Sequence, residues 1–154
     1  MKLKKMLVGC LCLMAMASCG EGNQNVKEEA AAEEGKNAVI ENIMARRSIR
    51  KYKNEVVPRE VLNQIMECGI NAPNGQNKQS WEVRVVDNPQ VMAEICNTLN
   101  AAYPKMENIA SCFRGAPVMV FIARDKGYDF SAYECGLMAE NMMLSAQSLG
   151  VGSI

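Results

Sequence analysis

The chain has 154 residues, with 17 basic and 17 acidic side chains, no formal net charge, and a hydrophobic fraction of 49%. This length favours one domain, and the apolar content is sufficient for one buried core. The chain has no histidine, which excludes a Ser-His or Cys-His nucleophile pair and a histidine general base. If the chain is an enzyme, its chemistry is therefore expected to belong to a bound cofactor.

Residues 1–18 have the pattern of a bacterial export signal. Three lysines precede an apolar run over residues 6–17 that is too short to span a bilayer. Cys19 follows small residues, as in the lipobox of bacterial lipoproteins. Lipidation at Cys19 is favoured over plain secretion, and it predicts a cell-envelope protein attached to the periplasmic or outer face of a membrane by lipid alone.

Residues 19–37 are polar and contain almost no large apolar side chain, which predicts a flexible tether. The folded domain is predicted over residues 38–154. Four cysteines lie in it, at positions whose spacing excludes zinc-finger and haem-attachment motifs. Disulfides among Cys68, Cys96, Cys112 and Cys135 are conceivable in an exported protein. Burial in the core is favoured for Cys68 and Cys135, because both lie in helical apolar patterns.

A first helix is predicted from the Asn37 cap to the start of a basic segment, residues 46–53. Five of the eight residues in this segment are basic and none is acidic. Guanidinium groups and the Ser48 hydroxyl are donors that hold phosphate groups, so the segment is a candidate anion site. A solvated basic helix end, favoured by the helix dipole, is the alternative.

The next elements follow from periodicity and from turn residues. A second helix is predicted from Pro58 to about Ile70, followed by an amide loop, residues 71–81, in which Pro, Gly and Asn prevent regular structure. A strand over residues 82–86 precedes a third helix that begins at residues 88–89 and ends near residue 103. Residues 105–115 show no decisive pattern.

The last third of the chain is strongly apolar. Residues 116–123 form a continuous apolar run, which predicts a strand covered on both faces. Residues 129–149 predict a long helix, apolar on almost every side, that lies in the core or in a subunit interface. Its methionines are interpreted as packing rather than as a cofactor site. Residues 151–154 are expected to begin another strand.

The basic segment, the amide loop and the apolar strand before a long helix that leads into residues 149–153, in this order, closely resemble the FMN-dependent nitroreductase family. The resemblance covers residues 38–154 and implies an α+β fold in which helices flank a mixed sheet around a long central helix. It also implies a homodimer with one FMN in each subunit interface. Members of this family continue beyond the point that matches Ile154, so we expect the domain to be incomplete at its C-terminus.

The resemblance also implies which residues contact FMN. It implies four contacts in the basic segment, four in the amide loop of the other subunit, and one further polar contact. They are Arg46, Arg47, Ser48 and Arg50; Pro73, Asn74, Gly75 and Asn77; and Asn108. Trp81 is expected to support the loop, and Gln79 either supports it or contacts FMN directly, with support favoured. Ser80 stands where the family often has proline.

The implied function is hydride transfer from NADH or NADPH through FMN to a nitroaromatic, a quinone or a similar small acceptor. No protein residue is assigned a catalytic role, because the flavin carries the chemistry and a guanidinium such as Arg50 would stabilise its reduced form. The alternative is a non-catalytic or inactive truncated lipoprotein with the same fold. A nucleic-acid partner is not expected, because the basic segment is short and isolated.

Overall fold

A computed structural model describes residues 37–154 of the chain. The predicted signal, Cys19 and the predicted tether apart from Asn37 lie outside the described residues. Within residues 37–154, no helix is long and apolar enough to cross a membrane.

Four α-helices, two strands and two short 3₁₀ helices make up the described part of the chain. In chain order they are α1 (Ala38–Ala45), α2 (Arg59–Ile70), a 3₁₀ helix (Gly75–Asn77), β1 (Trp81–Val86), α3 (Pro89–Ala102), a 3₁₀ helix (Ile109–Phe113), β2 (Met119–Arg124) and α4 (Ser131–Ser148). The predicted helices and the first strand are confirmed to within a few residues. The undecided stretch contains the second 3₁₀ helix.

Two asparagine caps fix the starts of α1 and α3. The Asn37 side-chain oxygen accepts hydrogen bonds from the backbone N–H groups of Val39 and Ile40, at 3.0 and 3.2 Å. Asn88 caps α3 in the same way, with Pro89 in the first turn of that helix. A side-chain oxygen at this position satisfies N–H groups that have no partner within the helix. Both starts therefore follow from local sequence.

The core lies between α2 and one face of α4. Met138, Met142 and Ala146 are buried and succeed one another at four-residue intervals, so they form one stripe along α4. This stripe packs against Ile65 of α2. The Asn141 side chain donates a 3.2 Å hydrogen bond to the Cys68 carbonyl and links the same two helices.

The sheet consists of β1 and β2, which pair antiparallel with Trp81 opposite Arg124. Val83 and Ile122 face each other across the pair and pack against the core. The prediction that β2 is covered on both faces was wrong for the single chain, because Val120 and Phe121 remain exposed. An apolar run specifies that side chains avoid water, but it does not specify what covers them.

The C-terminal residues pair with the basic segment. Ser48 and Ser153 form a parallel bridge, and the Ile49 N–H donates a 2.9 Å hydrogen bond to the Ser153 carbonyl. The expected strand at residues 151–154 is thus present as one bridge. Four helices accompany a two-stranded antiparallel sheet whose Val83 and Ile122 pack against the helical core, so the predicted α+β fold class is confirmed.

Apolar side chains also lie on the surface of α1 and α4. In α1, Val39, Ile40, Ile43 and Met44 are all exposed, and in α4, Tyr133 and Leu137 are 74% and 47% exposed. The Asn42 side chain joins these helices through a 2.8 Å hydrogen bond to the Leu144 carbonyl. Within residues 37–154, the buried side chains of the long helix therefore lie on one face.

All four cysteines of the described residues are free. Cys68 and Cys135 lie in helices, as the pattern predicts, but both remain partly exposed. The expectation that they are core residues is therefore only partly met. No disulfide constrains this part of the fold.

Candidate functional site

The basic segment follows directly after α1. The Arg46 N–H donates to the Asn42 carbonyl at 3.1 Å and closes the last turn, and the Arg46 backbone then turns to ψ 133°, outside the helical region. From Ser48 the segment is held by its bridge to Ser153. A β-carbon at Gly152 would lie 3.0 Å from the Ile49 side chain, so the basic segment and residues 151–154 pack closely at this point. The first half of the segment is therefore held at Arg46 and again at Ser48 and Ile49.

The arginines of this segment are only weakly neutralised. The Arg46 Nε lies 4.0 Å from the Glu140 carboxylate, and both side chains are partly exposed, so this pair contributes little to stability. Arg47 donates to the carbonyls of Met44 and Arg46, at 2.7 and 2.8 Å. Arg50 makes one long contact, 3.4 Å, to the Ser48 carbonyl. Within residues 37–154, no carboxylate pairs with Arg47 or Arg50.

The amide loop has an unusual backbone. Gln76, Asn77 and Gln79 all have φ near +50°. This left-handed region is uncommon for residues other than glycine, although asparagine tolerates it better than most. Such conformations persist where the surrounding structure fixes them, and they cluster at functional sites.

Two side chains brace this loop. The Asn74 side-chain oxygen accepts from the Gln79 N–H at 3.0 Å, inside the loop. The Glu134 Oε1 accepts from the Gly75 N–H at 2.7 Å and ties the loop to the first turn of α4. At the end of the loop, Trp81 packs against the core. Its expected role as a support for the loop stays a prediction.

Tyr128 closes the space between Gly75 and Glu134. A β-carbon at Gly75 would lie 2.5 Å from the Tyr128 hydroxyl and 3.3 Å from the Glu134 Oε1. Burial first, then the charge of Glu134 and a hydrogen bond to it, raises the pKa of Tyr128. The Lys78 ammonium lies 4.2 Å from the centre of the Tyr128 ring, a cation–π contact.

Asn108 lies in a different cluster. Its backbone is left-handed, at φ 46°, directly before the second 3₁₀ helix. The Asn100 side chain donates a long 3.4 Å hydrogen bond to the Asn108 side-chain oxygen and accepts one from the Ala110 N–H. Both asparagines line a cavity of about 320 Å³ beside Cys96 of α3.

The predicted FMN-binding residues thus fall into three groups: the basic segment, the amide loop and Asn108. Among residues 37–154, no hydrogen bond or ion pair joins one group to another. The resemblance assigns the segment and the loop to different subunits, and this assignment stays a prediction, as do the roles of the individual residues. The described residues also contain no cluster of three or more side chains suited to a metal ion.

Sequence reasoning missed Glu134. Its side chain is 4% exposed and is the one buried carboxylate among the described residues. Glu134 precedes Met138 and Met142 by four and eight residues, so it lies on the same buried stripe of α4. An acidic residue on an apolar stripe is the signal that could have identified it.

Cys135 is the neighbouring thiol. Burial raises its pKa, Arg124 opposes this shift, and Glu134 adds to it. A thiol with a raised pKa is protonated at neutral pH and is a poor nucleophile. The region beside the amide loop therefore offers positioning groups rather than a reactive cysteine.

Comparison with known proteins gives a consistent picture. The chain matches the sequence profile of the Nitroreductase family over residues 43–154. A nitroreductase with bound FMN from Bacteroides fragilis matches with a TM-score of 0.70 at 30% identity, covering 75% of this chain and 67% of that one. A nitroreductase with bound FMN from Desulfitobacterium hafniense gives 0.66 at 33% identity, covering 75% and 68%.

One curated relative comes from Methanothermobacter thermautotrophicus and carries the provisional name NADH dehydrogenase/NAD(P)H nitroreductase. It is 28% identical over 120 residues, which cover 75% of this chain. The chain spans 59% of the length of that relative.

The contact between Gly75 and Tyr128 predicts a specific pattern of stabilities. Gly75→Ala should lower the free energy of unfolding by about 1–3 kcal/mol, because the new methyl group overlaps the Tyr128 hydroxyl. In a Tyr128→Phe background that oxygen is gone, and the next ring atom would lie 3.8 Å from the methyl group. In that background, Gly75→Ala should lower the free energy of unfolding by a clearly smaller amount. Urea unfolding of the four proteins measures this, and purely additive effects would contradict it.

Proposed function

Because this chain belongs to the nitroreductase family, we propose that it is an FMN-dependent oxidoreductase. It transfers hydride from NADH or NADPH, through FMN, to a nitroaromatic, a quinone or a similar small acceptor. The observation that carries this proposal is the exposed basic segment, in which Arg47 and Arg50 flank Ser48 without any carboxylate partner in residues 37–154. Similar chains of known structure bind FMN.

The chemistry of the segment suits the anionic parts of FMN. A phosphate ester carries negative charge at neutral pH, and guanidinium forks and hydroxyl groups bind it through charge-assisted hydrogen bonds. Arg46, Arg47 and Ser48 supply these donors. Arg50 supplies a positive charge that would favour the anionic reduced pyrimidine edge of the flavin. When bound at these residues, FMN would supply the two-electron chemistry by which hydride from a nicotinamide reaches the acceptor, with protons supplied by solvent.

The amide loop supplies the second part of the proposed site. Asn74 and Asn77 carry amide groups that can both donate and accept, as the polar edge of a flavin requires. The loop is braced before any ligand arrives, so binding needs little further ordering of these residues. Pro73 and Gly75 complete the proposed contacts.

Exposed apolar surface supports the homodimer that this arrangement requires. The apolar side chains of α1, with Tyr133 and Leu137 of α4, remain in contact with water in the single chain. Several large apolar side chains exposed on neighbouring helices are candidates for an interaction surface. We propose that a second copy covers it and that its amide loop reaches the basic segment of the first.

The direct test uses the purified chain with added FMN. The proposal predicts FMN uptake, seen as flavin absorbance, and oxidation of NADH or NADPH when a nitro compound is present. Donor and acceptor would occupy the same face of the flavin in turn, so double-reciprocal plots should be parallel. A colourless protein that takes up no FMN would refute the proposal. FMN uptake without turnover would support the non-catalytic alternative.

Arginine substitutions test the phosphate and pyrimidine contacts. Arg46→Ala and Arg50→Ala should each weaken FMN binding by about tenfold or more, since each removes a charge-assisted contact. Their free energies of unfolding should change by less than about 1 kcal/mol, because both side chains make only weak contacts within residues 37–154. Lys105→Ala, which removes an exposed positive charge in a turn, is the control. FMN titration monitored by flavin fluorescence measures the affinities, and unchanged binding in both arginine variants would reject the assignment.

We also propose that the protein is attached to the cell envelope through lipid on Cys19. The support is the sequence of residues 1–19 alone. Cys19→Ala should abolish incorporation of labelled palmitate and move the protein from the membrane fraction to the soluble fraction, because lipid is the proposed anchor. Ser18→Ala, which keeps a small residue before the cysteine, is the control. Membrane association that persists in Cys19→Ala without label would contradict lipid anchoring.

A further inference from the structure

We propose that Glu134 is a positioning residue for the flavin. It fixes the conformation of the amide loop through Gly75, so that FMN affinity depends on an acceptor oxygen at position 134. This inference rests on the proposed function, and it assigns a role to a residue of α4 that lies outside both sequence motifs.

The geometry is specific. Glu134 lies in the first turn of α4, at the end of a helix whose stripe is fixed in the core by Met138 and Met142. Its Oε1 accepts the Gly75 N–H at 2.7 Å across a separation of 59 residues. A short hydrogen bond to a charged acceptor is among the stronger ones in proteins. The hydrogen bond from Gly75 to Glu134 therefore fixes the position of the loop relative to α4.

Burying a carboxylate at this position lowers the stability of the fold unless its hydrogen bonds and nearby charges offset the lost hydration. Glu134 is 4% exposed, and its Oε2 makes no hydrogen bond within residues 37–154. An apolar side chain of the same size would avoid that cost. The position at the N-terminal end of α4 offsets part of it through the helix dipole. What the carboxylate supplies, and an apolar side chain would not, is an acceptor for the Gly75 N–H and for the neighbouring Tyr128 hydroxyl.

The left-handed backbone of the amide loop explains why the loop requires this acceptor. Gln76, Asn77 and Gln79 are left-handed, and each such residue costs on the order of 1 kcal/mol relative to an ordinary conformation. The Asn74 side chain braces the loop from within, whereas Glu134 braces it from outside. Without the external brace, the strained backbone can relax. That would move Asn74 and Asn77, whose side chains are proposed to meet the flavin.

A pair of nearly isosteric substitutions isolates the acceptor. Glu134→Gln keeps an oxygen that can accept from Gly75, while Glu134→Met keeps the size and removes the acceptor. We expect FMN binding about tenfold weaker in Glu134→Met and within about threefold of the unsubstituted protein in Glu134→Gln. Ser131→Ala is the control, because Ser131 is fully buried in the same turn of α4 but bonds to the Asp125 carbonyl rather than to the loop. It should lower stability without changing FMN affinity.

Amide hydrogen exchange at Gly75, measured without FMN, gives a readout that does not depend on flavin binding. Faster exchange in Glu134→Met, but not in Glu134→Gln, together with weaker FMN binding in Glu134→Met alone, supports the proposal. Unchanged exchange in Glu134→Met overturns the brace. Faster exchange with unchanged affinity overturns the role in flavin positioning. Equal effects of Glu134→Gln and Glu134→Met on exchange and FMN affinity overturn the claim that the acceptor oxygen matters. If the unsubstituted protein binds no FMN, the proposed function fails, and the flavin role of Glu134 fails with it even where the exchange data show the brace.

Discussion

The packing of α4 against α2 is the interaction on which the rest of the described structure depends. Met138 and Met142 fill the space beside Ile65, and this contact fixes the direction and rotation of α4. The other elements are then attached to α4 from different sides. Asn42 ties α1 to the Leu144 carbonyl, and Glu134 ties the amide loop to its first turn. One buried stripe thus places both proposed halves of the flavin site.

The two halves are held by different means. The basic segment is extended because its backbone pairs with the C-terminal residues, through the bridge between Ser48 and Ser153. Its arginines remain available to an anion because, within residues 37–154, their partners are backbone carbonyls and one distant carboxylate. The amide loop is strained and is held by side chains instead of by a sheet. A change at Asn74 or Asn77 is therefore expected to alter flavin binding more than it alters the packing of α4 against α2.

Local signals in the sequence were sufficient for much of this fold. Asn37 and Asn88 each stand directly before an apolar helical pattern, so both helix starts could be predicted. The exposure of Val120 and Phe121 could not be predicted, because an apolar run does not reveal which surface covers it. The hydrogen bond between Glu134 and Gly75 could not be predicted either, since it joins residues far apart in sequence and depends on how α4 packs. The family resemblance named the loop residues, but the structure was needed to find what braces them.

The central claim is that one flavin site combines the basic segment of one subunit with the amide loop of another. Co-refolding equal amounts of Arg46→Ala and Glu134→Met chains tests it directly, by FMN titration of the mixture. With a shared site, each mixed dimer contains one undamaged site and one doubly damaged site. About one site in four of the mixture should then bind FMN as tightly as the unsubstituted protein. If each site lies within one subunit, every site carries a substitution, and no tight binding would return.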